Sequence, residues 1–155
     1  MMSTFYTASA TLDEGMSFVG RTGSGFELAL DAEPAVGGTG RGPRPMEVVL
    51  LAMAGCTGMD VISILRKMRQ DVVAYEVRVH GLERALEHPQ VYTKVTVEHR
   101  VRGRGLVEAS VARAVELSST RYCPISAMIG QTAEVLHTYT LEEAAPLAMS
   151  APAER

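Results

Sequence analysis

A chain of 155 residues, 46% hydrophobic and 21% charged, suffices for one domain that buries roughly two-thirds of the surface its unfolded chain exposes, so no metal or disulfide scaffold is needed to fold it. The net charge is −3, with 15 basic residues scattered among 18 acidic ones, which leaves no electrostatic footprint for nucleic acid. Met1-Met2-Ser3-Thr4-Phe5-Tyr6 has no signal-peptide pattern, and no apolar run reaches the roughly 18 residues that span a bilayer, so the expectation is a cytoplasmic protein with no membrane partner.

In chain order, residues 5–11, 16–19 and 26–30 are short β-prone runs separated by Asp13-Glu14-Gly15 and Gly23-Ser24-Gly25, and they predict three antiparallel strands joined by tight turns. Residues 31–44 carry Pro34, Gly37, Gly38, Gly40, Gly42 and Pro43 with no apolar period, and read as a flexible loop. Pro45 then opens a helix to about residue 70, with Glu47 in its first turn where the positive helix end suits a carboxylate. The first half of that helix is apolar on every face and requires cover from sheet, helix or a partner subunit. Residues 74–82 and 91–102 alternate as strands around a turn at His88-Pro89. A helix is predicted over 106–117, a short one from Pro124 toward Ala133, and a last strand over 134–141. The expected organisation is a single mixed α/β (α+β) domain over 1–141, with a frayed tail over 142–155.

The two cysteines, Cys56 and Cys123, are too few for a disulfide framework in a reducing compartment, where such pairs are more often transient and catalytic. Cys56 is flanked by Gly55 and Gly58, which in a helix each cost about 1 kcal/mol against Ala. Either a substrate or another backbone approaches the sulfur there, or the helix crosses another helix closely. Cys123 precedes Pro124 and so takes the N-cap of the short helix, where free N–H groups favour negative charge. Cys56 lies far from its own helix start, with Asp60 one turn on, so activating it calls for a cation: Arg21, Arg41, Arg44, Arg84 and Arg121 are the candidates. A metal is not expected, because the cysteines are far apart in sequence and His80, His88, His99 and His137 show no ligand spacing. No phosphate-binding loop or nucleophile elbow is present.

These residues resemble the family of osmotically inducible protein C and organic hydroperoxide resistance protein (OsmC/Ohr), most closely its YhfA-like branch. The resemblance is carried by Gly37-Gly38, Pro45-Met46-Glu47, Ala54-Gly55-Cys56-Thr57, Met59-Asp60-Val61, Arg84 before His88-Pro89, and Leu117-Ser118 followed by Tyr122-Cys123. It implies an OsmC-like fold, with antiparallel strands wrapped around two central helices in an intertwined homodimer. It also implies Cys56 as the peroxidatic thiol attacking an organic hydroperoxide, and Cys123 as the thiol that resolves the sulfenic acid to a disulfide. An external dithiol of the dihydrolipoamide type would reopen that bridge, with no bound cofactor or metal. Arg21, Arg84 and Glu47 are the supporting candidates. The peroxidase branches place a glutamate ten residues before the first cysteine, where this chain has Met46; Glu47, nine residues before, falls on the opposite helix face at 100° per residue. The function so implied is a thiol-dependent peroxidase of oxidative and osmotic stress defence, its site lined by Leu51, Met53 and Met59. A small-ligand-binding stress dimer without catalysis, or a thiol-disulfide oxidoreductase, are the alternatives.

Overall fold

The computed structural model describes residues 6–146, which fall into two compact units, the first ending at Val49 and the second beginning at Leu50. In the first, β1 (Ala8–Leu12), β2 (Phe18–Thr22) and β3 (Glu27–Leu30) form an antiparallel meander, with Gly15 (φ 58°) and Gly25 (φ 93°) supplying the left-handed turn positions. The glycine-rich segment after β3 is tied down rather than free. The buried Asp31 carboxylate accepts the N–H groups of Ala32, Thr39 and Arg41 and the Thr39 hydroxyl. Those three backbone donors, Arg41 foremost, bring its pKa down to about 2. A side chain at Gly38 would lie 1.8 Å from the Ala32 carbonyl oxygen, so only glycine lets the loop close.

The long helix α1 (Pro45–Lys67) runs across the division between the units. Proline is its first residue, and Glu47 accepts the Arg44 N–H at 2.8 Å, half of a capping box. At the far end Gln70 N–H reaches the Leu65 carbonyl while Arg69 turns left-handed (φ 57°), which stops the helix three residues before the expected 70. By length and composition alone its 23 residues could cross a membrane, a test that buried core helices also pass, although Thr57, Ser63 and Asp60 interrupt any strict apolar run. Only 22% of its most apolar stretch is buried within the chain.

In the second unit β4 (Asp71–Arg84), β5 (Tyr92–Arg104) and β6 (Glu134–Glu143) make a sheet in the order β4-β5-β6. A cis His88–Pro89 bond sits in the β4–β5 turn. The mixed helix-and-sheet class is as expected, with one pairing that differs from an all-antiparallel arrangement: β5 and β6 run parallel. The reason is the connection between them, which holds α2 (Glu108–Leu117), a π-helical turn (Ser118–Tyr122) and α3 (Pro124–Ile129), a crossover of the kind parallel strands require. Met53, Thr57, Val61 and Leu65, spaced by four, are the buried stripe of α1. Val61 and Leu65 meet Val101 of β5 and Val111, Ala114 and Val115 of α2 in one core; each fully buried side chain of this size is worth about 1.5–3 kcal/mol. β6 extends through Glu143, and Ala144 N–H reaches Gly103, so the chain stays attached beyond the expected fraying point at 142. The rest of the predicted tail, from 147, lies outside the described residues.

Candidate functional site: two thiols and a carboxylate

Cys56 and Asp60 are four residues apart on α1 and therefore share a face. Cys123 approaches from α2's far end. The π-helical turn, closed by Cys123 N–H on the Ser118 carbonyl at 2.9 Å, breaks the helix and leaves Cys123 extended (φ −76°, ψ 104°) as the N-cap of α3. The Cys56 and Cys123 sulfurs and an Asp60 carboxylate oxygen all lie within 4.8 Å of one another. The two sulfurs are thus close in space, as a redox pair requires, and Cys123 occupies the predicted N-cap. The sulfur of Cys123 accepts the Ser126 N–H at 3.4 Å, and the Ile125 N–H is directed at Cys56. Both cysteines are free thiols, Cys123 buried and Cys56 half-buried.

Asp60 is held in place. Ser118 donates to its Oδ2 at 3.2 Å, and the Ser118 oxygen is itself 2.8 Å from Thr57 Oγ1, with Ser118 and Thr57 wholly buried. The sequence places Asp60 one turn from Cys56 only as an unfavourable charge; its two hydroxyl supports, and so its fixed place in the site, carry no local signal. Asp60 opens on a cavity of about 350 Å³ lined also by Ser63, Ile64, Lys67, Leu117 and Tyr122. Of the apolar residues expected around Cys56, Met53 is in the core, whereas Leu51 and Met59 are 65% and 74% exposed; Ile64, Leu117 and Tyr122 are the apolar part of the cavity wall at Asp60, which neither cysteine lines.

Burial pushes the Cys56 thiol up to about 11, aided by the hydrogen bond to Cys123 and by the electrostatic influence of Cys123 and Asp60, and opposed by the Ile125 N–H. No cation is among those influences. Arg21 pairs with Glu27 at 2.8 Å, Arg41 with Asp13 at 3.1 Å, and Arg44 with Glu33 and with Glu47. Arg84 donates to the Gln90 carbonyl at 2.9 Å, and Arg121 lies over the Tyr122 ring. Glu47 is thus engaged at the helix start by Arg44. The glycines flanking Cys56 divide the two explanations offered for them. A Cβ on Gly58 would sit 3.3 Å from Val77 of β4, which makes it a close crossing, over a strand rather than a helix, while a Cβ on Gly55 would meet nothing within 4 Å.

A second polar group lies on the same sheet. Tyr75 Oη is 2.7 Å from His99 Nδ1, and His99 Nε2 is 3.1 Å from His137 Nδ1, with stacked rings. Burial lowers both histidines, His99 to about 4 with help from His137, so both are neutral near pH 7.

Facing cysteines on two helices over a mixed sheet place the chain among two-cysteine α+β proteins. Residues 38–137 match the family model described as OsmC-like protein, and the chain belongs to that family. It is 42% identical to Protein YhfA of Escherichia coli (strain K12) over 127 residues, covering 81% of this chain and 90% of that protein. Among solved structures, a hypothetical protein from Aquifex aeolicus VF5 is similar with a TM-score of 0.80 and 24% identity, covering 92% of this chain and 100% of that one. An organic hydroperoxide resistance protein OsmC from Legionella pneumophila shares the fold with a TM-score of 0.68 and 16% identity, over 90% and 98% of the two chains.

Proposed function

We propose that the protein is a thiol-dependent peroxidase that reduces organic hydroperoxides in cytoplasmic stress defence. The observation that carries the reading is the approach of two free thiols and a fixed carboxylate to within 4.8 Å, beside a cavity with Ile64, Leu117 and Tyr122 in its wall that suits an organic substituent. Asp60 takes the Cys56 proton as the sulfur attacks the outer oxygen of the hydroperoxide, and the O–O bond breaks. The alkoxide leaves as the alcohol with that proton, and Cys56 becomes a sulfenic acid. The Cys123 thiol attacks that sulfur, water departs, and a disulfide remains for an external dithiol to reduce, its two thiols becoming a disulfide in turn. The cycle uses no metal or bound cofactor.

The family's functional form is taken to be a homodimer. The exposure of Leu51 and Met59 on α1 supports this, since a helix so apolar loses less to water when a second copy covers it. Cumene hydroperoxide consumption with a dithiol tests the reading: Cys56→Ser should lower the rate at least a thousandfold, and Cys123→Ser should leave a sulfenic acid detectable by intact mass. Unchanged turnover in Cys56→Ser would sink the reading. The high pKa of Cys56 favours a second reading, a dimer that holds a small ligand beside an un-ionised thiol; failure to lose two hydrogens after one equivalent of hydroperoxide would favour it.

A further inference from the structure

The same three side chains have a property that peroxide chemistry does not use. Two sulfurs and a carboxylate oxygen within 4.8 Å of one another are close to the spacing of ligands around one tetrahedral ion, where bonds of about 2.3 Å to sulfur and 2.0–2.2 Å to oxygen put donors roughly 3.5–3.8 Å apart. A contraction of about 1 Å closes the set. Each donor is already oriented by a further group: Asp60 by the Ser118 hydroxyl, itself held by Thr57, Cys123 by the Ser126 N–H and Cys56 by the Ile125 N–H. Metal-binding sites depend on such outer hydrogen bonds to fix their ligands. Asp60 also lies on the wall of the 350 Å³ cavity, so the carboxylate side of the cluster borders open space.

We infer that Cys56, Asp60 and Cys123 form a three-ligand site for a thiophilic divalent ion of the zinc class. Two thiolates select a soft or borderline metal, while the carboxylate oxygen favours Zn²⁺ over Cu⁺. Charge balance supports the assignment. The empty site carries one carboxylate and two neutral thiols, a charge of −1. Binding brings +2 and expels two protons, which leaves −1 again, with no redox change. Occupancy takes both sulfurs out of the thiol–peroxide cycle, so the ion acts as a reversible guard on the pair. The inference goes beyond the peroxidase reading and does not depend on it.

The test is an anaerobic titration of the reduced, metal-free protein with Co²⁺. The expected result is a thiolate-to-cobalt charge-transfer band that saturates at one equivalent per chain and vanishes on adding Zn²⁺, with two protons released. Cys56→Ser and Cys123→Ser should each weaken binding at least a hundredfold. The near-isosteric Asp60→Asn should weaken it at least tenfold and Ser118→Ala about tenfold, with far-UV circular dichroism confirming that each variant is folded. Absence of the band at saturating cobalt, or an unchanged band in folded Cys123→Ser, overturns the assignment. Peroxide consumption measured on the same preparation with a chelator separates the two readings: turnover without cobalt binding removes only the metal site, and cobalt binding without turnover removes only the peroxidase.

Discussion

Two polar assemblies lie within the second unit, and they handle burial in opposite ways. The Cys56–Asp60–Cys123 cluster is made of acceptors crowded together, each supplied with a donor from the chain, and its Asp60 lines a cavity. The Tyr75–His99–His137 string is neutral and bonded within itself, with His99 wholly buried and His137 on the wall of a separate cavity. The Tyr75 hydroxyl, its pKa raised by burial and by Asp60, stays protonated and donates to His99 Nδ1; His99 Nε2–H then donates to His137 Nδ1. Among the described residues His137 Nε2 has no partner. The crowded acceptors hold the Cys56 proton on until an oxidant or a metal takes the sulfurs, whereas the histidine string gains only from remaining uncharged. The first is chemistry, the second a polar seam in an apolar core.

The largest expected effect breaks or confirms the first half of that contrast. With Cys56 at about 11, its alkylation by iodoacetamide should rise about tenfold per pH unit, close to a thousandfold between pH 7 and 10. A plateau already reached at pH 8 would show that a cation, absent from the influences on Cys56 among the described residues, reaches the thiol in the assembled protein.

Acid stability probes the second half. A histidine at about 4 in the folded chain and 6.5 otherwise is protonated in the unfolded chain first, so stability falls as the pH drops from about 6.5 to about 4 and levels off below. For His99 the full loss is about 3 kcal/mol, and His137, also lowered, adds in the same direction. Denaturant melts at pH 7.5 and 4.5 should differ accordingly, and His99→Gln should flatten the difference. Asp31, held near 2 against 3.8, acts in a separate window: its contribution is present above about 3.8 and lost as the pH falls toward 2. A stability curve flat between 6.5 and 4.5 would mean that the string is charged or solvated.

Asp60→Asn distinguishes a base from a mere repulsive neighbour. If the carboxylate takes the Cys56 proton, peroxide consumption at pH 7 falls about 10–100-fold. If it only opposes the thiolate, removing its charge makes Cys56 more acidic and the rate rises. The sign of the change decides, whatever its size.

What could be read in advance follows the range of the interactions. Pro45 and Pro124 each fix a helix start, so α1 and the N-cap position of Cys123 were legible from neighbours alone. The partnership of Asp60 with Ser118 was not, because it joins residues 58 positions apart, and from the sequence Asp60 counted only as a charge unfavourable to Cys56. The loop at residues 31–44 looked free because its anchor, Asp31, gathers donors as far away as Arg41. His99 left a local clue that ligand spacing overlooks: it stands in phase with Val95, Val97 and Val101 on β5, and a titratable residue at an inward position must find partners. Its partner His137 became predictable only once β6 was known to pair in parallel, with Val97 opposite His137.

Tyr75 is where the two assemblies meet. Its hydroxyl bonds to His99, the Asp60 charge acts on it, and its ring lies 3.9 Å from a Cβ built on Gly58, half a turn from Cys56 on α1. Tyr75→Phe removes the oxygen and keeps the ring, so His99 Nδ1 is left buried without a donor, at a cost of about 1–2 kcal/mol in stability. If the seam is purely structural, the pH profile of Cys56 alkylation stays within twofold of the parent throughout, because the groups that set the thiol's acidity are burial, Cys123, Ile125 and Asp60. A shift of that profile by half a pH unit or more in Tyr75→Phe, with the fold intact, would instead join the histidine string to the thiol site as one proton-conducting unit, and the contrast between them would no longer hold.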